Sequence, residues 1–184
     1  FDEDAEITSR ELNIVLTSRN VSKKQRIPMA GIPFHAADTY ISKLINKGYH
    51  VAICEQIGEQ PKKGIFPREV VRVVTPGTVL EQGLLKSERN NFLLSIFKSD
   101  NKIGLAYLDV STGDSGITEF NDDMHLNKSH AEISRINPAE IIFPESFVLT
   151  GASEFHQTPI PDWKYEFNKC EQTIKNVFGV SVLD

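Results

Sequence analysis

The hydrophobic and polar positions of this chain change period several times, and each change marks an element. The acidic opening Asp2-Glu3-Asp4-Ala5 places carboxylates where a helix has its positive dipole end, and predicts a helix to about Leu12. Residues 13–18 are β-rich and predict a strand. Residues 19–26 are polar and carry Arg19, Lys23, Lys24 and Arg26 with no acid, the pattern of a solvated basic loop. The stretch Ile27-Pro28-Met29-Ala30-Gly31-Ile32-Pro33-Phe34-His35-Ala36 follows, and its two prolines predict a stiff turn, because proline fixes φ and holds its predecessor extended. Tyr40, Ile41, Leu44 and Ile45 then fall on one helical face within a helix over 35–47, and Lys47-Gly48 is its stop. A run over 49–57 is apolar enough to predict a central strand with Cys54 in the core, and residues 68–75 predict a second strand ended by Pro76-Gly77.

The pattern shifts over 80–91, which is polar and holds little core material beyond Leu84 and Leu85. A domain boundary is expected near Ser87, giving domains 1–87 and 88–184; the alternative is a long connection within one domain. Three strands come next, over 92–97, 103–110 and 115–120, with turns Ser99-Asp100-Asn101 and Ser111-Thr112-Gly113-Asp114 that suit an antiparallel meander. A helix over 124–136, a short buried strand over 139–143, an irregular stretch over 145–162, a last strand over 163–167 and a helix over 171–178 complete the reading. That order is the order of an RNase H-like sheet.

Composition narrows the class. With 184 residues, 40% apolar and 24% charged, the chain can bury a core. A formal charge of −5 gives no overall pull toward nucleic acid, so any DNA contact must come from a local patch. The two cysteines, Cys54 and Cys170, have no metal-like spacing, and a reduced, cytoplasmic setting is expected. No apolar run approaches the roughly 20 residues of a membrane helix. The chain opens at Phe1 inside a helix start, which reads as a piece of a longer protein.

Candidate chemistry is sparse. The run from Gly58 to Gly64 lacks the Gly-Lys-Ser/Thr ending of a phosphate-binding loop. Asp109 and Asp114 flank a turn; in an RNase H-like sheet, carboxylates on neighbouring strands can hold two Mg²⁺ ions for phosphodiester cleavage. The strand Phe92-Leu-Leu-Ser-Ile-Phe97 carries no acid to pair with them, so a hairpin turn is the expected role. His35 has no partner at a catalytic spacing and reads as structural. The pattern Phe-x-Glu occurs at Phe1-Asp2-Glu3 and Phe143-Pro144-Glu145, and three-residue matches of this kind arise by chance.

Three longer stretches resemble one family: 27–36, Val51-Ala-Ile-Cys-Glu-Gln-Ile-Gly58, and Arg68-Glu-Val-Val-Arg-Val-Val-Thr-Pro-Gly-Thr78. In this order they resemble the N-terminal region of bacterial MutS, the DNA mismatch-recognition ATPases. Weaker matches run through Leu105-Ala-Tyr-Leu-Asp-Val-Ser-Thr-Gly113, Arg135-Ile-Asn-Pro-Ala-Glu140 and 163–179. The resemblance implies an α/β fold, a mixed-sheet mismatch-binding domain followed by an RNase H-like connector domain without nuclease activity. It implies mismatched double-stranded DNA and MutL as partners, a homodimeric parent, and ATP and Mg²⁺ bound by parts of the parent beyond Asp184. No cofactor or catalytic residue is expected in this chain, and the rival class is a Mg²⁺-dependent RNase H-like nuclease acting on structured DNA. The family reads a mismatch with a Phe wedge and a Glu two residues on, and unstacking is cheapest at a mismatch. That pair aligns a few residues before Phe1, so Phe1-Asp2-Glu3 is a look-alike in the wrong register. The resemblance places Arg19, Met29 and Arg68 at the DNA backbone and minor groove, and Gln172 at a MutL contact, where Thr173 departs from the family's usual amide.

Overall fold

In the computed structural model, residues 1–22, 25–58, 66–80, 89–121 and 126–183 are described. The chain divides into two compact units, Phe1–Ser87 and Glu88–Asp184.

Unit 1 opens with α1 (Asp2–Leu12), which buries Ala5 and Leu12. Asn13 ends it in the left-handed region (φ 54°), a conformation asparagine tolerates. The Ser9 hydroxyl donates to Ile14 O at 2.6 Å and fixes the exit. The next strand therefore starts later than its β-rich composition suggests. β1 (Leu16–Ser22) pairs antiparallel with β2 (Gln25–Ala30), with Arg19 opposite Ile27 and Met29 opposite Thr17. Two expectations are corrected here. The basic stretch from Arg19 is the arm of a hairpin, not a loop, and Ile27–Ala30 is its returning strand, not a turn. Charge does not prevent a strand, since pairing uses backbone groups, and Pro28 is tolerated because a two-stranded ribbon has an open edge on each strand.

A 3₁₀ turn (Phe34–Ala36) leads into α2 (Ala37–Ile45). Gly48 closes the helix at φ 86°, donating to Ile45 O at 2.8 Å. β3 (Val51–Gln56) pairs antiparallel with β4 (Arg68–Val74). Their core is small: Ile45, Val74 and Val79, with Ile41, Val51 and Ile53 against it. β3 is not central among the described residues, since β4 is its one neighbour, and Cys54 is exposed rather than in the core. Apolar composition alone does not bury a strand. Val51 and Ile53 turn inward while Ala52 and Cys54 turn out, the period-two alternation of a one-sided sheet.

Unit 2 is built on one five-stranded sheet in the order β7-β6-β5-β8-β9. β5 (Phe92–Ser99), β6 (Lys102–Asp109) and β7 (Ser115–Asn121) form the antiparallel meander. α3 (Asn127–Ile136) crosses to β8 (Glu140–Pro144), which pairs parallel with β5, and β9 (His156–Ile160) adds parallel to β8. This is the RNase H-like order, and among the described residues the mixed sheet lies here. Leu94, Ile96, Ile103, Leu105 and Ile141 are at most 2% exposed and pack with Ile133 and Ile136 of α3. On the opposite face, the Tyr165 and Ser95 hydroxyls share a hydrogen bond at 3.2 Å.

The last strand is corrected. It lies at β9, within the stretch expected to be irregular, while residues 162–165 form a 3₁₀ turn (Asp162–Tyr165). Pro159 hides β9 in the sequence, yet an edge strand accepts proline. α4 (Phe167–Phe178) starts four residues earlier than its apolar spacing suggests and ends at Gly179 (φ 66°).

Candidate nucleic-acid interface

The hairpin of unit 1 gives the basic patch its geometry. Directly opposed residues of an antiparallel pair project to the same face, and the face alternates along each strand. Thr17, Arg19, Ile27 and Met29 therefore share one face of β1–β2, while Ser18, Asn20, Arg26 and Pro28 share the other. Arg19 and Arg26 are exposed, and Met29 is half-buried. An exposed arginine on the same face as a partly covered methionine offers a phosphate-pairing head and an apolar surface, a combination that suits a nucleic-acid backbone and the floor of a minor groove. Lys23 and Lys24 lie outside the described residues.

The structure thus brings Arg19 and Met29 together and sets the other two candidates apart. Arg68 begins β4 on the second two-stranded sheet, exposed and paired with Gln56. Gln172 lies in unit 2 on α4, exposed, its Nε2 donating to Asn176 Oδ1 at 2.9 Å. Thr173 turns its hydroxyl back to Lys169 O at 2.8 Å. Along the same helix Phe167, Ile174, Val177 and Phe178 are exposed, three of them above 70%. Spacings of three, four and seven residues make them one apolar stripe, on the face of α4 opposite the Gln172–Asn176 pair.

Several stretches singled out by sequence have structural roles. In Thr75-Pro-Gly-Thr78 the Thr78 hydroxyl accepts from Thr75 N at 2.9 Å and meets the Thr75 hydroxyl at 2.9 Å, while Arg72 donates to Thr78 O at 3.3 Å. These bonds fold the turn back on β4. Phe1-Asp2-Glu3 is the start of α1, and Phe143 is buried at the end of β8. Asp109 is 1% exposed and accepts from Asn91 N, Ser111 N, the Ser111 hydroxyl at 2.6 Å and Thr112 N. Burial pushes its pKa up, but these hydrogen bonds together outweigh burial and hold the carboxyl below its ordinary range. It is the clasp of the β6–β7 turn. Glu140, a buried acid that the sequence did not single out, accepts from the Thr158 hydroxyl at 2.7 Å and ties β8 to β9. Its signal in the sequence is a lone acid entering an apolar strand. His35 is exposed in the 3₁₀ turn, and residues 59–64, where the sequence lacks a phosphate-loop ending, lie outside the described residues.

A small α/β unit with an exposed arginine hairpin is followed by an RNase H-like unit. The family model for MutS domain I matches residues 1–83, and that for MutS domain II matches residues 91–184. The chain belongs to the MutS family. It is 53% identical over 147 residues to the DNA mismatch repair protein MutS of Dehalococcoides mccartyi, covering 79% of this chain and 17% of that protein. It is 47% identical over 156 residues to that of Syntrophomonas wolfei, covering 84% and 18%. Against that of Alkaliphilus metalliredigens it is 40% identical over 197 aligned positions, covering 100% and 22%. The chain therefore spans about a fifth of the length of these relatives. No helix of the described residues is long and apolar enough to cross a membrane.

Proposed function

We propose that this chain works in DNA mismatch repair as a binding and interaction module. Unit 1 supplies part of the surface that meets mispaired or looped duplex DNA, and unit 2 links that surface to MutL. The observation that carries the reading is the succession of MutS domains I and II along nearly the whole chain. The shared face of Arg19 and Met29 supports it, since phosphate contacts from Arg19 position a duplex without specifying its sequence. Arg68 adds a second phosphate contact from β4. In the register that the resemblance implies, Phe1-Asp2-Glu3 is not the reading pair, and Arg19 and Met29 act as supporting contacts. ATP and Mg²⁺ act in other parts of the longer, homodimeric parent, and this chain is not itself an enzyme. The four hydrogen bonds on Asp109 favour a clasp over a nuclease metal ligand.

A gel shift of matched against mismatched duplex tests the DNA half, run on this chain and on one extended at its N-terminus. The expected outcome is weak, salt-sensitive binding without discrimination by this chain, and mismatch preference restored by the extension. Strong preference without the extension contradicts the register. For the connector, capture of MutL that weakens on Gln172→Ala is expected; capture unchanged by that substitution removes Gln172 from the contact.

A further inference from the structure

Unit 2 has a cleft of about 390 Å³ that none of the roles above uses. It opens where the C-terminal ends of the parallel strands β5 and β8 meet the 3₁₀ turn, and its lining includes Phe97, Lys98, Phe147, Asp162, Tyr165 and Glu166. The chain leaves β5 toward β6 on one side and leaves β8 toward β9 on the other. The strand ends diverge, and a crevice of this kind outside the carboxyl ends of parallel strands is where α/β sheets take ligands.

The walls are aromatic. Phe97 stacks on Tyr165 with centroids 5.5 Å apart and planes 7° apart, and Phe147 stands edge-on to Phe143 at 6.3 Å. The rim is acidic: two carboxylates against one ammonium. Asp162 is held in place because its Oδ1 accepts Ser146 N–H at 3.0 Å, and a carboxylate has lone pairs to spare for a second donor. Glu166 is placed by the chain itself, because its carbonyl accepts from Lys169 N and Cys170 N at 3.0 Å and so opens α4. Flat aromatic walls under a carboxylate rim match one protein side chain best. A guanidinium is planar, lies on aromatic faces and donates to carboxylates as a fork, whereas an ammonium is a strongly hydrated point charge.

The geometry points to this cleft as a socket for an arginine side chain presented by a partner protein, its guanidinium between the aromatic wall and the Asp162 and Glu166 carboxylates. The surface is separate from the Gln172–Asn176 pair and does not depend on DNA binding.

Amide NMR spectra of the 184-residue chain, titrated with N-acetyl-arginine methylamide, its citrulline counterpart and free arginine, test the socket. The blocked arginine is expected to shift the Phe97, Ser146, Phe147 and Tyr165 amides saturably. The neutral citrulline probe should bind about tenfold more weakly, the weight of one charge-assisted hydrogen bond. Asp162→Asn keeps the Ser146 acceptor and Glu166→Gln keeps the helix opening; each should weaken binding by about the same factor without moving the melting temperature. Lys98→Gln removes the like charge and should tighten it. No saturable shift, equal binding of citrulline, or Lys98→Gln weakening the arginine probe overturns the socket. Free arginine binding more tightly than the blocked form overturns a protein partner.

Discussion

The two units solve the problem of burying a sheet in different ways. Unit 2 closes five strands into one sheet, with Leu94, Ile96 and Ile141 fully buried at its centre. Unit 1 divides its described strands into two antiparallel pairs, and among the described residues its cluster of buried apolar side chains has three members, Ile45, Val74 and Val79. Val70, Val71 and Val73 on β4 remain about half exposed. Yet the three stretches on which the sequence resemblance chiefly rests, 27–36, 51–58 and 68–78, fall in unit 1. Those stretches describe turns, strand edges and an exposed hairpin face more than a core. Both units carry the family match, but the larger core is in unit 2, and stability measurements should separate the two.

The largest contrast is expected from the cores. Ile96→Ala removes a fully buried side chain from the middle of the sheet and should cost about 2–5 kcal/mol in denaturant unfolding of unit 2. Ile45→Ala makes the same deletion in the three-membered cluster of unit 1, and should fall at the low end of that range, about 2 kcal/mol. A cost for Ile45→Ala equal to that for Ile96→Ala would remove the distinction.

Next in size is the Asp109 clasp. Asp109→Asn leaves buried donors without a charged acceptor and should cost about 1–3 kcal/mol at neutral pH. The folded carboxyl titrates below its ordinary value of 3.8, so its stabilisation is complete above that pH and is lost as the pH falls below it. Unfolding curves of the parent chain and Asp109→Asn should therefore converge in acid. A difference that stays constant down to pH 2 would show that the bonds do not depend on the charge.

Much of unit 2 was legible in the sequence because its signals are local. The meander has a turn between each pair of strands, and β8 is a short apolar run between Pro138 and Pro144. What escaped was set by non-local contact. β9 carries a proline and is a strand because β8 offers it backbone groups. The β1–β2 hairpin looked like loop and turn because charge and proline were read in place of pairing. Cys54 looked like core because composition does not say which side of a two-stranded sheet is covered. The aromatic cleft draws on residues 97–98, 144–147 and 162–166, three segments that only the topology brings together. Of the four candidate contact residues, the sequence named Arg19, Met29, Arg68 and Gln172 singly; the register of one hairpin made two of them neighbours.

The smallest effect is the most telling for function, because Arg19 is exposed and its loss leaves the fold alone. The direct measurement is duplex affinity by fluorescence anisotropy as a function of salt, for the parent chain and for Arg19→Ala. One phosphate contact contributes roughly one to the slope of log affinity against log salt. The account predicts that Arg19→Ala lowers the slope by about that amount, equally on matched and mismatched duplexes. An unchanged slope, or a loss confined to mismatched DNA, would contradict the hairpin face as a phosphate-positioning surface.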